Sequence, residues 1–159
     1  MKAIYDFALL APVPLRHLQS GLKVCAREGF VAFGTMKWDL FRTLDERRKG
    51  TPIPALIYPS HEDAPAELTF LVSWYGWYVG HKDSVLSKHP FGMKHRPETT
   101  AQDKDHWAAF WHVEGLRQLP REKHIPINKI GTIKGGWRKN APPCGPELVE
   151  LPELLSHED

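Results

Sequence analysis

The most informative side chains of this chain lie in residues 69–80, which read TFLVSWYGWYVG. Four large aromatic residues, Trp74, Tyr75, Trp77 and Tyr78, surround one glycine there. Trp and Tyr combine a flat apolar face with a polar group, and glycine lets a ligand or a backbone approach closely. The pattern favours a slot for a flat ring, although the same residues would also fill a β-barrel core. In a regular strand Trp74 and Trp77 face opposite sides, unless a bulge at Gly76 re-aims them.

A second set of candidate residues is basic. Lys94, His95 and Arg96 stand together in one polar stretch, and Lys134 and Arg138 stand in a later stretch rich in glycine and proline. Cations in loops neutralise the phosphates of a nucleic acid. These five residues are therefore the candidates for contacts with a nucleic-acid backbone, and an ordinary solvated surface is the alternative.

The histidines do not predict a metal site. The spacings of His81, His89, His95, His106 and His112 match neither zinc-finger pairs nor a His-Glu-x-x-His helix. The chain also lacks a Gly-x-Ser-x-Gly sequence, a phosphate loop and a dinucleotide fingerprint. The sequence therefore predicts no metal and no cofactor.

Length and composition indicate a globular protein. The 159 residues suit one domain, residues 1–159, and a hydrophobic content of 42% is enough for a core. The net charge of +2 permits a nucleic-acid partner without demanding one. No apolar run approaches the ~20 residues that span a bilayer, the start does not resemble a signal peptide, and Cys25 and Cys144 are too few for a disulfide framework. We therefore expect a cytoplasmic protein with no membrane partner.

Glycine and proline divide the chain into short elements that would position these side chains. Apolar residues at helical spacing predict helices over 15–27 and 39–48, which end at Gly29 and Gly50. Pro52 and Pro54 place the strand over 53–58 at an edge or a strand start. Residues 81–104 are polar and predict a long loop. The remaining predicted strands cover 3–10, 30–34, 68–80 and 107–119. Together the elements predict an α+β domain.

The order of these segments resembles the PUA-like superfamily, which includes the EVE, YTH and ASCH domains. Gly34 with a polar turn is followed by a short helix, then by GTPIPALIY at 50–58 and FLVSWYGWYVG at 70–80. The sequence WAAFWHVEGLRQLP at 107–120 is similar to the strand that follows the long loop of YTH domains. The resemblance implies a mixed β-barrel of about five or six strands, flanked by short helices, with the strand over 68–80 at its centre.

EVE and YTH domains hold a modified base in an aromatic cage. The resemblance therefore implies that this chain binds a modified base in DNA or RNA, with a partner nuclease or another effector protein beside it. A base taken out of a strand is stacked on aromatic faces and read at its polar edge. The resemblance assigns these roles to Trp38, Trp74, Trp77 and Trp107 for stacking and to Thr35 and Ser73 for the base edge.

Two other functions stay open at this point. Some ASCH domains resemble hydrolases of nucleosides or RNA, which implies that Lys37 activates Thr35 or a water, with Glu114 as its partner. A protein-interaction module that carries the same aromatic residues on its surface is the third option. Because no hydrolase motif is present, we expect a binding module without catalysis, in which Lys37 is a cation at the rim of the pocket.

Overall fold

The computed structural model describes residues 2–60, 62–102, 106–133 and 145–155. The first part of the chain forms β1 (Phe7–Val13), α1 (Leu15–Glu28), β2 (Val31–Thr35), α2 (Trp38–Arg48) and β3 (Ile53–Pro59). The second part forms β4 (Leu71–Val72), β5 (Trp74–Asp83), β6 (Ala109–Gln118), β7 (Ile125–Pro126) and β8 (Glu147–Glu150).

The main sheet contains six strands in the order β2-β6-β5-β3-β1-β8. Strands β1 and β3 are parallel, and the other neighbouring strands are antiparallel. Strands β4 and β7 form a separate two-stranded sheet. The protein is therefore α+β with a mixed sheet, as the sequence predicts. The aromatic strand β5 lies in the interior of the sheet, between β6 and β3.

The two helices begin and end within one residue of the predicted bounds. Helix α1 ends because Gly29 takes the left-handed conformation, with φ 89°, and its N–H donates to the carbonyl of Cys25 at 2.9 Å. Helix α2 ends at Lys49 and Gly50, which both have positive φ. Among the described residues, neither helix is long and apolar enough to cross a membrane.

Each face of the main sheet is covered by an apolar layer. On one face Trp74, Tyr78 and Trp111 pack with residues of α1 and α2. On the other face Tyr75 and Trp77 pack with residues of β4 and β7. Because successive side chains of a strand point to opposite faces, the single strand β5 supplies large aromatic residues to the layers on both faces of the sheet.

Strand β3 lies in the interior of the sheet, and Pro54 lies at its start, before the ladder with β1 begins at the pair Leu9–Ala55. Of the two predicted placements, an edge or a strand start, the structure therefore shows the start. Two other predicted elements differ from the structure. The predicted strand over 68–80 is interrupted at Ser73, where the chain passes from the small sheet to the main sheet. The predicted loop over 81–104 contains the end of β5, a bridge between Val85 and Lys88, and a 3-10 turn.

Candidate functional site

A cavity of about 400 Å³ lies beside the start of α1, where the ends of β1 and β2 meet the residues that precede β6. Because these elements are far apart in sequence, only the assembled sheet brings its walls together. The cavity is lined by Pro12, Val13, Pro14, Arg16, His17, Phe33, Gly34, Glu62, Arg96, Thr100, Gln102 and Trp107.

Trp107 is, with Phe33, an aromatic wall of this cavity. Its half-buried ring lies against Gly34, where a Cβ atom would run into Cγ, Cδ2 and Cε2 of the indole. The absence of a side chain at Gly34 therefore leaves the room that the ring occupies. Trp107 also lines a second cavity of about 280 Å³. Arg96 and Thr100 line both cavities as well.

The charges around the first cavity are largely paired. The guanidinium of Arg16 donates to Glu62 at 2.8 Å and to Asp63 at 3.3 Å. Asp63 also accepts the backbone N–H groups of Leu15 and Arg16, at 2.8 and 2.9 Å, and so caps α1. Burial acts to raise the pKa of Asp63, but these hydrogen bonds outweigh it and hold the pKa below its usual value. The cavity therefore offers a polar lining in which Arg16 is already neutralised.

His95 and Arg96 do not point outward, contrary to the prediction that they bind phosphates. The backbone carbonyl of His95 accepts the N–H of Ala32 at 2.7 Å, and Nη1 of Arg96 donates to the carbonyl of Ala32 at 2.8 Å. The guanidinium also lies over the ring of Phe110, 4.9 Å from its centroid. Both residues are buried because they close the open edge of β2. Lys94, which directly precedes His95, is exposed.

Behind this edge, three buried imidazoles form a cluster with aromatic rings. Nε2 of His89 lies 3.1 Å from Nε2 of His112, and Nδ1 of His89 accepts the N–H of Phe91 at 3.1 Å. Phe30 stacks on His95, with a centroid distance of 4.1 Å, and packs at a tilt against His112, with a centroid distance of 4.5 Å. Burial is the main cause that lowers the pKa of His89 and His112 to about 4. Burial also lowers the pKa of His95. The described residues contain no group of three or more His, Cys, Asp or Glu arranged to hold a metal ion.

The structure corrects the expectation that Trp74, Trp77 and Ser73 line a slot. Trp74 is 1% exposed and Trp77 is 5% exposed, each within an apolar layer of the core. The two indoles lie on opposite faces of β5, as a regular strand requires, although the ladder with β6 has an irregularity between Tyr75 and Trp77. Ser73 is fully buried, so its hydroxyl does not reach a ligand. The aromatic density of β5 serves packing.

The other predicted residues lie apart from one another. Trp38 begins α2, is 49% exposed and lines neither of the two cavities. Thr35 is buried, and its hydroxyl accepts the N–H of Lys37 at 3.0 Å. Nζ of Lys37 donates to the carbonyl of Pro146 at 3.4 Å. Lys134 and Arg138, which are also predicted to contact a nucleic-acid backbone, lie outside the described residues.

The three residues of the hydrolase alternative are not brought together. Thr35 pairs with Ala109 on β6, whereas Glu114 pairs with Trp77 on β5. Ala109 and Glu114 are five residues apart on the strand, which corresponds to about 16 Å at the usual rise per residue. Glu114 is also exposed. The carboxylate therefore does not act with Thr35 and Lys37 in one site.

Sequence reasoning missed several walls of the cavity, among them Phe33, Gln102 and Thr100. Gly34 carried a usable signal for this region, because a glycine inside a strand indicates close approach of another group. No family model and no curated protein matches this chain.

Proposed function

We propose that this chain binds one modified base of DNA or RNA in the cavity beside Trp107. The observation that carries the proposal is the indole of Trp107, which lies against Gly34 on the cavity wall. A volume of about 400 Å³ lies in the lower part of the range found for small-molecule pockets. Stacking on an aromatic face contributes about 1–3 kcal/mol per base.

The charge pattern supports a base rather than a phosphate as the occupant. Arg16 already pairs with Glu62 and Asp63, and Nη1 of Arg96 already donates to the carbonyl of Ala32, so an anion would compete with existing partners of both cations. The amide of Gln102 offers both a donor and an acceptor at the cavity wall. A neutral heterocycle with a polar edge matches this lining. A chemical modification at the polar edge of a base changes the hydrogen bonds that the base can form with the lining.

We also propose a PUA-like barrel as the finer description of the fold. Its support is the α+β organisation with six strands in one mixed sheet and the aromatic strand β5 in the interior. On this proposal the chain recognises the base in the cytoplasm, and a partner nuclease or another effector protein acts on the marked strand.

Calorimetric titration of the protein with modified and unmodified nucleosides tests the proposed site. Trp107→Ala is expected to weaken binding about ten- to hundred-fold, which corresponds to the stacking energy of ~1–3 kcal/mol. Trp107→Phe is expected to lose less affinity, because an aromatic face remains. The preference for a modified over an unmodified nucleoside is expected to persist in Trp107→Phe.

Trp38→Ala is the matched control, because it removes an exposed indole that lines neither cavity. The nucleoside affinity of Trp38→Ala is expected to equal that of the wild type. Circular dichroism and thermal melting verify that each variant is folded. The site assignment is wrong if a folded Trp107→Ala protein binds as tightly as the wild type.

A further inference from the structure

A two-residue β-turn projects from the segment 84–97, next to the candidate site. The N–H of Val85 donates to the carbonyl of Lys88 at 2.8 Å, and the N–H of Lys88 donates back at 3.0 Å. The two residues between them, Leu86 and Ser87, have φ of 50° and 67°. Positive φ at both central positions is the pattern of a type I′ turn, which strongly prefers Asn-Gly. Leucine in this conformation is strained, because its side chain crowds the backbone.

The strained residue is also the most exposed large apolar residue of the described chain. Leu86 is 92% exposed, and Phe91 on the same segment is 60% exposed. Val85 and Met93 are exposed as well. A leucine at this apex strains the turn and leaves apolar surface exposed to water. Because neither effect stabilises the fold, this leucine points to a role in binding.

The surroundings of the turn are basic. Lys88 and Lys94 are exposed, and no Asp or Glu occurs in residues 84–97, although the exposed Asp83 directly precedes this segment. Apolar side chains flanked by lysines complement a nucleic acid, in which stacked bases lie between rows of phosphates. Ser87 and Lys88 line the second cavity, which has Trp107 as a wall in common with the first. The apex therefore lies beside the space proposed for the base.

We propose that Leu86 is a wedge that enters the base stack of a duplex and occupies the gap left by the base that moves to Trp107. This inference rests on the proposed function and specifies its substrate as double-stranded nucleic acid. Enzymes and architectural proteins that unstack bases insert apolar side chains in this way. An anionic membrane is also complementary to apolar and basic groups, but the ring-sized cavity beside the turn favours the nucleic acid.

The test compares a DNA duplex with one central mismatch and the corresponding single strand, both at one fixed ionic strength. A mismatch lowers the cost of base extrusion. Leu86→Ala is expected to weaken duplex binding about ten-fold and to change single-strand binding by less than about two-fold. Leu86→Asn is expected to weaken duplex binding equally, while the melting temperature rises by about 2–4 °C because the strain is relieved. Leu154→Ala is the matched control, since Leu154 is another exposed leucine.

Each other outcome overturns a distinct part of the argument. If both Leu86 variants bind the duplex like the wild type while Trp107→Ala binds neither probe, the wedge is excluded and the base-binding function stands. If the wild type binds neither duplex nor single strand, both proposals fail. If Leu86→Ala loses binding to phosphatidylserine vesicles but retains duplex binding, the turn is a membrane contact.

Discussion

Gly34 lies so close to Trp107 that a methyl group on its Cα would overlap Cγ, Cδ2 and Cε2 of the indole. Gly34→Ala is therefore expected to displace the ring and to weaken nucleoside binding about ten-fold, close to the loss of one stacking contact. Gly34 has no left-handed conformation to lose, so the effect comes from the steric overlap. Calorimetric titration with the nucleoside that binds the wild type measures the change.

Gly21→Ala is the control for this substitution. A Cβ at Gly21 would make ordinary contacts of 3.4–3.5 Å with Val31, Phe33 and Leu116. We expect Gly21→Ala to retain full affinity. Equal affinities for Gly34→Ala and the wild type would show that the position of the indole does not matter for binding.

The burial of Trp74 gives a second prediction, which concerns stability. Trp74 is 1% exposed within the core, so Trp74→Ala is expected to lower the free energy of unfolding by about 3–5 kcal/mol. Trp38→Ala removes an indole that is 49% exposed and is expected to cost less than about 1 kcal/mol. Urea unfolding of both variants measures the difference. Similar values for the two would mean that Trp74 contributes no more packing than a surface residue.

The helices and most strands could be predicted because their signals are local. Leu15, Leu18 and Cys25 recur at helical spacing, and Gly29 marks the end of α1, so neighbouring residues alone define the element. The opposite orientations of Trp74 and Trp77 follow from the two-residue period of a strand. Local rules of this kind need no knowledge of what packs on the element.

The site could not be predicted in the same way because it depends on tertiary contacts. A core and a ring-binding slot require the same aromatic residues, and only the layers that cover both faces of β5 assign Trp74 and Trp77 to the core. Arg96 looked like a phosphate ligand because sequence shows its charge but not the carbonyl of Ala32 that it binds. Trp107 becomes a cavity wall only when β2 and β6 pair.

A third prediction concerns Asp45, a half-buried carboxylate that joins α2 to β5. Asp45 accepts hydrogen bonds from Nε of Arg48 at 2.6 Å, from the hydroxyl of Tyr78 at 2.9 Å, and from Nδ1 of His81. Burial acts to raise the pKa of Asp45, but these bonds dominate and lower it. Asp45→Asn is expected to lower the free energy of unfolding by about 2 kcal/mol at pH 7. Asp39→Asn, an exposed acid in the first turn of the same helix, is the control and is expected to lower it by less than about 1 kcal/mol, the contribution of an acid to the helix dipole.

The last prediction concerns the dependence of stability on pH and follows from the pair His89–His112. Burial is the main cause that lowers both pKa values to about 4, and His95 and Lys82 near each ring lower them further. In the unfolded chain each histidine has a pKa of about 6.5. Between pH 6.5 and 4 the unfolded state therefore binds more protons than the folded state, and acid favours unfolding. Above pH 7 both states are neutral and the pair adds no pH dependence.

Each of the two histidines is expected to lower the free energy of unfolding by about 3 kcal/mol between pH 6.5 and 4, so the pair lowers it by about twice that amount. His112→Gln removes one titrating group, and its curve is expected to be shallower than the wild-type curve in this interval. His106→Gln changes an exposed histidine and is expected to follow the wild type. Urea unfolding across the interval measures all three proteins. Superimposable curves for His112→Gln and the wild type would show that the buried pair does not control the acid sensitivity, since carboxylates common to both proteins would then account for it.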